Sequence, residues 1–252
     1  MAIRGVLSDK DIVKNAAQNA LKMMRDSGYE ISGSLEVMVE PEPPFMGYTT
    51  QREAGHLIVV SGMALKSGMI EGLLIHEMSH IYRAEKNHPS YNENLLDRVT
   101  NNVIRKNMIT EDYQVKILQQ AINHIQDLYA DDIAFKVFEK SKSFTEEQSF
   151  TFFLDWIKER PIDPKSTKDK WFNIGIMLNN CFAINNLSRH NVRDIGNQAE
   201  NKAQRFLSQN ISMKEDFSYC KNFMIGLKEN TNDMEFERDL AEYLTTIIGL
   251  VK

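Results

Sequence analysis

The stretch Gly72-Leu73-Leu74-Ile75-His76-Glu77-Met78-Ser79-His80-Ile81-Tyr82 decides how this chain is read. Side chains four apart on a helix lie one above the other, so His76 and His80 offer two imidazole nitrogens to a single metal ion. Glu77, one position round from His76, faces the water such an ion would hold and is placed to take its proton. Leu73, Leu74, Met78, Ile81 and Tyr82 make the surroundings strongly apolar, and no proline falls between Pro44 and Pro89. That composition predicts a buried helix rather than a polar loop. Two histidines and a glutamate are costly to bury without a partner such as a metal ion; the alternative is a pair of histidines making polar contacts on a half-buried helix.

The helix is expected to begin near Ser67 or Gly68 and to run to about Lys86, where Asn87-His88-Pro89-Ser90 breaks it. His88 is read as a loop or rim residue, because it lies eight positions past His80 across that break. Upstream, Ser8 and Asp9 can cap a helix carrying Ile12, Val13, Ala16, Ala17, Ala20, Leu21 and Met24 and ending near Gly28. Residues 34–40 alternate Leu35, Val37 and Val39 with Glu36 and Glu40, a strand signature closed by Pro41, Pro43 and Pro44. Residues 45–55 read as a loop or loose hairpin arm, and 56–61 as a second strand opened by His56, a surface or packing residue. The expected order is helix, strand, strand, metal helix.

The second chemical signal is His124-Ile125-Gln126-Asp127-Leu128-Tyr129-Ala130-Asp131-Asp132, inside a helix expected over 111–139. Asp127 and Asp131 are four apart and share a face, so one can bind metal while the other hydrogen-bonds a ligand imidazole. Together with His76-Glu77-x-x-His80, this resembles the gluzincin branch of the zincin metallopeptidases. Their second motif is Glu-x-x-x-Asp, written Glu-x-x-Ala-Asp in the subgroup that includes the CAAX-type proteases, and Asp127-Leu128-Tyr129-Ala130-Asp131 matches it with Asp in place of the metal-binding Glu.

The resemblance covers residues 30–140 and implies Zn²⁺ held by His76, His80 and Asp127, Glu77 as general base, and Asp131 steadying a ligand histidine. Asp is one methylene shorter than Glu, so the helix must come closer to the ion. His124 and Asp132 are the alternative third ligands. Gluzincins also supply an oxyanion donor from downstream of the third ligand, which puts forward His190 and Arg193. The metzincin pattern is not met, because Arg83 and Lys86 stand where its Gly and third His belong.

The remaining segments read as helices at 91–106, 145–160, 169–186, 191–209, 212–228 and 232–251, with Pro161-Ile162-Asp163-Pro164 as the clearest linker. The expected fold is α+β: a predominantly helical zincin-like core with a small sheet over 1–140, then an all-helical C-terminal lobe over 141–252. At 252 residues the chain is long enough to bury a substantial core, and 42% hydrophobic with 26% charged residues is an ordinary globular balance. A net charge of −5 gives no basic face for nucleic acid.

Met1 to Lys10 carries no apolar run of the signal-peptide kind, and no stretch is long and apolar enough to span a bilayer. Cys181 and Cys220 are expected to stay reduced. These features point to a cytoplasmic protein acting on peptide or protein substrates, with no nucleic-acid or membrane partner. Two other readings belong to the same sequence: a non-catalytic zincin-like scaffold that binds a partner, and a latent peptidase blocked by its own 41–55 loop.

Overall fold

The computed structural model describes residues 9–41 and 46–251. Ser8, Pro43, Pro44 and Phe45, invoked above for a cap, a strand end and a blocking loop, lie outside the described residues. The fold is predominantly helical α+β with one three-stranded sheet. Its contacts divide the chain into two compact units, Met1–Asn87 with Ala130–Phe144, and His88–Tyr129 with Thr145–Lys252. The chain passes from one unit to the other after Asn87, Tyr129 and Phe144.

The first unit opens with α1 (Asp9–Asp26), whose buried face is Val13, Ala16, Ala17, Ala20 and Met24. Strands β1 (Ser34–Glu40), β2 (Gly47–Arg52) and β3 (Gly55–Ser61) follow. They lie in the order β1-β3-β2, with β1 parallel and β2 antiparallel to the central β3. β1 matches its expected limits because the alternation of Leu35, Val37 and Val39 survives as one half-buried face. Of the residues read as a loop or loose hairpin arm, Gly47–Arg52 form the arm, an edge strand antiparallel to β3, although Tyr48-Thr49-Thr50-Gln51 do not advertise it by apolar alternation. Gly55 opens β3 opposite Ser34, and an added Cβ there would lie 2.1 Å from the Ser34 carbonyl oxygen, so only glycine allows the two strands to start together.

Ser61 ends the sheet and caps the short helix α2 (Gly62–Lys66), its hydroxyl accepting the Ala64 N–H at 3.1 Å. Next comes α3 (Ile70–Glu85), the helix of the His76 motif. Its Leu74, Ile75, Met78 and Ile81 join the α1 face, Ile58 and Val60 in one core. Each fully buried side chain of that size contributes about 1.5–3 kcal/mol. Gly72 lets the Phe144 ring lie directly on the helix, since a Cβ at that position would be 2.5 Å from its Cζ. At the far end of α3, Glu85 accepts the Ser32 N–H with both oxygens (3.0 and 2.8 Å) and meets His56 Nε2 at 2.9 Å. His56 is thus a packing residue that ties β3 to the end of the motif helix.

In the second unit, α4 (Glu93–Lys106) starts at the Asn92 cap after a 3-10 turn, Pro89–Tyr91. α5 (Asp112–Ser141) is one unbroken helix of 30 residues. Its stretch up to Tyr129 belongs to the second unit and Ala130 onward to the first. Apolar residues surround most of its circumference, and Ile133, Ala134 and Val137 complete the core of the first unit.

The other helices are α6 (Glu146–Trp156), α7 (Thr167–Arg189), α8 (Gln198–Ser208), α9 (Lys214–Gly226) and α10 (Asp233–Gly249). α6 stops four residues short of the expected 160 because the chain after it runs extended along α7. There Asn180 bonds both backbone groups of Lys158 (2.8 and 3.0 Å), and Asn173 bonds both of Ile162 (2.7 and 2.8 Å). α8 starts later than the expected 191, because Gly196 (φ 66°) and Asn197 (φ 53°) are left-handed and break the helix. Cys181 and Cys220 are free and buried. No described helix is long and apolar enough to cross a membrane.

Candidate metal centre

α3 turns one face to the core and leaves His76 and His80 half-buried on another. The His76 Nδ1 lies 2.7 Å from Asp131 Oδ1 on α5. A carboxylate oxygen can only accept, so the Nδ1–H donates and the lone pair of the neutral ring sits on Nε2. That Nε2 lies 2.9 Å from His80 Nε2, with the two rings at 80° to each other. The outer nitrogens of the two imidazoles thus face each other.

Asp127 sits one turn before Asp131 on the same continuous helix. His76, His80 and Asp127 each offer a ligand atom, all within 4.8 Å of one another, and they are the group of this kind among the described residues. The donor set of two imidazoles and one carboxylate is the type that zinc takes at catalytic sites, with a fourth position left open. Zinc bonds of 2.0–2.1 Å in a tetrahedron would hold the two nitrogens about 3.3 Å apart, a few tenths from their present spacing. The two nitrogens fit the ion, and the Asp127 carboxylate lies within 4.8 Å of both. They restrict the choice less than they permit it, because such a set also accepts manganese, cobalt or iron.

Glu77 is 5% exposed and Asp131 6%. Burial removes competing water from the carboxylate behind His76, which strengthens its hold on the ring. Ser79, between the two histidines, turns its hydroxyl back to the Ile75 carbonyl at 2.7 Å and so adds no polar demand on the core.

The other residues singled out in the sequence go elsewhere. His124 is stacked on Phe182 at 4.7 Å with the rings 12° apart, and Trp156 stands at its edge. Burial pushes its pKa down to about 4, against a weaker upward pull from Asp127. It is an aromatic-core histidine and not part of the ligand group; neither is Asp132, which is buried. His88 caps the 3-10 turn, its Nδ1 bonded to the Ser90 hydroxyl at 2.8 Å. His190 is the C-terminal cap of α7, and the Arg193 backbone N–H donates to Glu146. Sequence reasoning passed over Gln126, which bonds the Ser90 carbonyl at 2.7 Å. Its only signal was its place beside Asp127.

Fold and site together define an α+β protein carrying a candidate three-ligand metal centre between its motif helix and a long partner helix. The chain belongs to DUF5781, a family of unknown function, which it matches over residues 12–247. No curated protein and no solved structure matches it.

Proposed function

We propose that the protein is a zinc-dependent peptidase of the zincin type, with His76, His80 and Asp127 as metal ligands. The observation that carries this reading is the Asp131–His76 bond at 2.7 Å, which fixes the ring so that its other nitrogen meets His80, with an Asp127 carboxylate oxygen within 4.8 Å of both ligand nitrogens. A metal ion held there would polarise the scissile carbonyl and make water beside it acidic.

The protein's own part is proton handling and orientation. Glu77 accepts a proton from the attacking water at its carboxylate and delivers it to the leaving amine. Its low exposure limits competing solvent at that carboxylate. Asp131 keeps the His76 Nδ1 proton in place so that Nε2 stays a donor of electrons. The substrate is a peptide or protein, with neither nucleic acid nor membrane as partner, and the protein acts in the cytoplasm, in keeping with two free buried thiols.

The test is Glu77→Gln beside the wild type, both loaded with zinc and offered a complex mixture of peptides. New amino termini in the wild type alone, at equal metal content, are expected. Cleavage that persists in Glu77→Gln removes the general-base role. A zinc-loaded wild type that cuts nothing favours a partner-binding scaffold.

A further inference from the structure

The short segment after the motif helix grips α5 around the proposed third ligand. Gln126 Nε2 donates to the Ser90 carbonyl oxygen at 2.7 Å. The Tyr91 hydroxyl donates to the Gln126 carbonyl oxygen at 3.2 Å, using the second lone pair that a helical carbonyl retains. One turn on, the Tyr129 ring lies 4.4 Å from the His88 ring and 6.3 Å from Phe236. His88 is itself fixed: its Nδ1 accepts from Ser90, and its Nε2–H donates to the Glu229 carbonyl oxygen at 3.2 Å. Gln126 and Tyr129 are three apart and share a face. Asp127 projects about 100° round the helix from Gln126 and about 160° from Tyr129. The grip therefore holds the flank of the turn and leaves Asp127 pointing away from it.

The departure from the gluzincin pattern gives this grip its meaning. Shortening Glu to Asp removes about 1.5 Å of reach, the same as the rise of one helical residue. Metal–ligand distances tolerate only about 0.2 Å, and Asp has one torsion fewer with which to make up an error. The backbone of α5 must supply the accuracy that a longer side chain would otherwise provide.

We propose that Gln126 is a positioning residue for Asp127: held by Ser90 and Tyr91, it fixes the rotation and height of the α5 turn so that the short carboxylate reaches the metal. The inference rests on the metal-site reading above and adds to it the device that makes an aspartate workable.

Zinc affinity of the full chain, measured by competition with a chromophoric chelator, tests it. Gln126→Leu keeps bulk and loses the donor, and it should weaken zinc binding about 10-fold, the lower end for an outer partner of a ligand. Adding Asp127→Glu to Gln126→Leu should restore most of the loss, because the longer side chain tolerates a misplaced helix. Asp127→Glu alone should not tighten binding. A contact that only stabilises the fold would lower the melting temperature of both Gln126→Leu chains without this recovery.

Tyr91→Phe removes a single hydroxyl and should weaken zinc about threefold, a check that survives if Gln126→Leu folds poorly. Unchanged affinity in both Gln126→Leu and Tyr91→Phe overturns the proposal, as does a loss that Asp127→Glu leaves unrelieved. Zinc bound equally by wild type and Asp127→Ala overturns the ligand assignment instead, and a wild type that takes no zinc overturns the metal site with it.

Discussion

Asp131 Oδ1 accepts a hydrogen bond from His76 Nδ1 across 2.7 Å, joining two motifs that lie 55 residues apart in the chain. That one bond sets the tautomer of His76 and turns its other nitrogen toward His80. Asp131→Ala would leave the ring to rotate and its N–H without a partner. Zinc affinity measured by chelator competition should fall 10- to 100-fold while the chain stays folded.

Acid should destabilise the protein through His124. Its folded pKa of about 4 lies below the unfolded value of about 6.5, so the unfolded chain binds the proton first as pH falls. The penalty is absent above pH 6.5, grows as the pH falls from 6.5 to 4, and is complete at about 3 kcal/mol below that. Urea unfolding at a series of pH values should show this component in the wild type and lack it in His124→Phe, which keeps the ring stack.

Gly72→Ala should destabilise the first unit although alanine is the better helix former. The new methyl would lie 2.5 Å from the Phe144 ring, which is itself packed at 4.6 Å from Phe138. The overpacking cost of about 1–3 kcal/mol exceeds the propensity gain of about 1 kcal/mol. Thermal unfolding should show a lower midpoint, and Gly72→Ala combined with Phe144→Leu should recover part of it.

Asn180→Ala should cost about 2–4 kcal/mol in denaturant unfolding, because two backbone groups of Lys158 lose their partner at a fully buried side chain. A loss below 1 kcal/mol would show that water takes over both bonds.

The parts of this fold that were legible in the sequence are those that a local pattern controls. Strand β1 follows from the alternation of Leu35, Val37 and Val39, and α3 from an apolar helical run closed before Pro89. The meeting of His76 and His80 was legible for the same reason, since one helix carries both. Asp127 and Asp131 needed only a second helix with the same spacing. Strand β2 was legible only as a loop or loose hairpin arm, because an edge strand of Tyr, Thr and Gln owes its form to backbone bonds with β3. The end of α6 was not legible, because it is set by Asn173 and Asn180 from a later helix. The role of His124 depended on Phe182 stacking across its face, a contact between residues 58 positions apart. Long-range contacts of that kind leave no local periodicity to read.

The measurement that tests the central claim most directly is metal content by plasma mass spectrometry on zinc-supplemented wild type beside His80→Ala and Asp127→Ala. About one zinc per chain in the wild type, lost from both variants, is the predicted result, since three-protein-ligand sites rarely hold zinc with one ligand gone. A wild type that takes up no metal would contradict the account. Metal retained in Asp127→Ala would contradict its choice of third ligand.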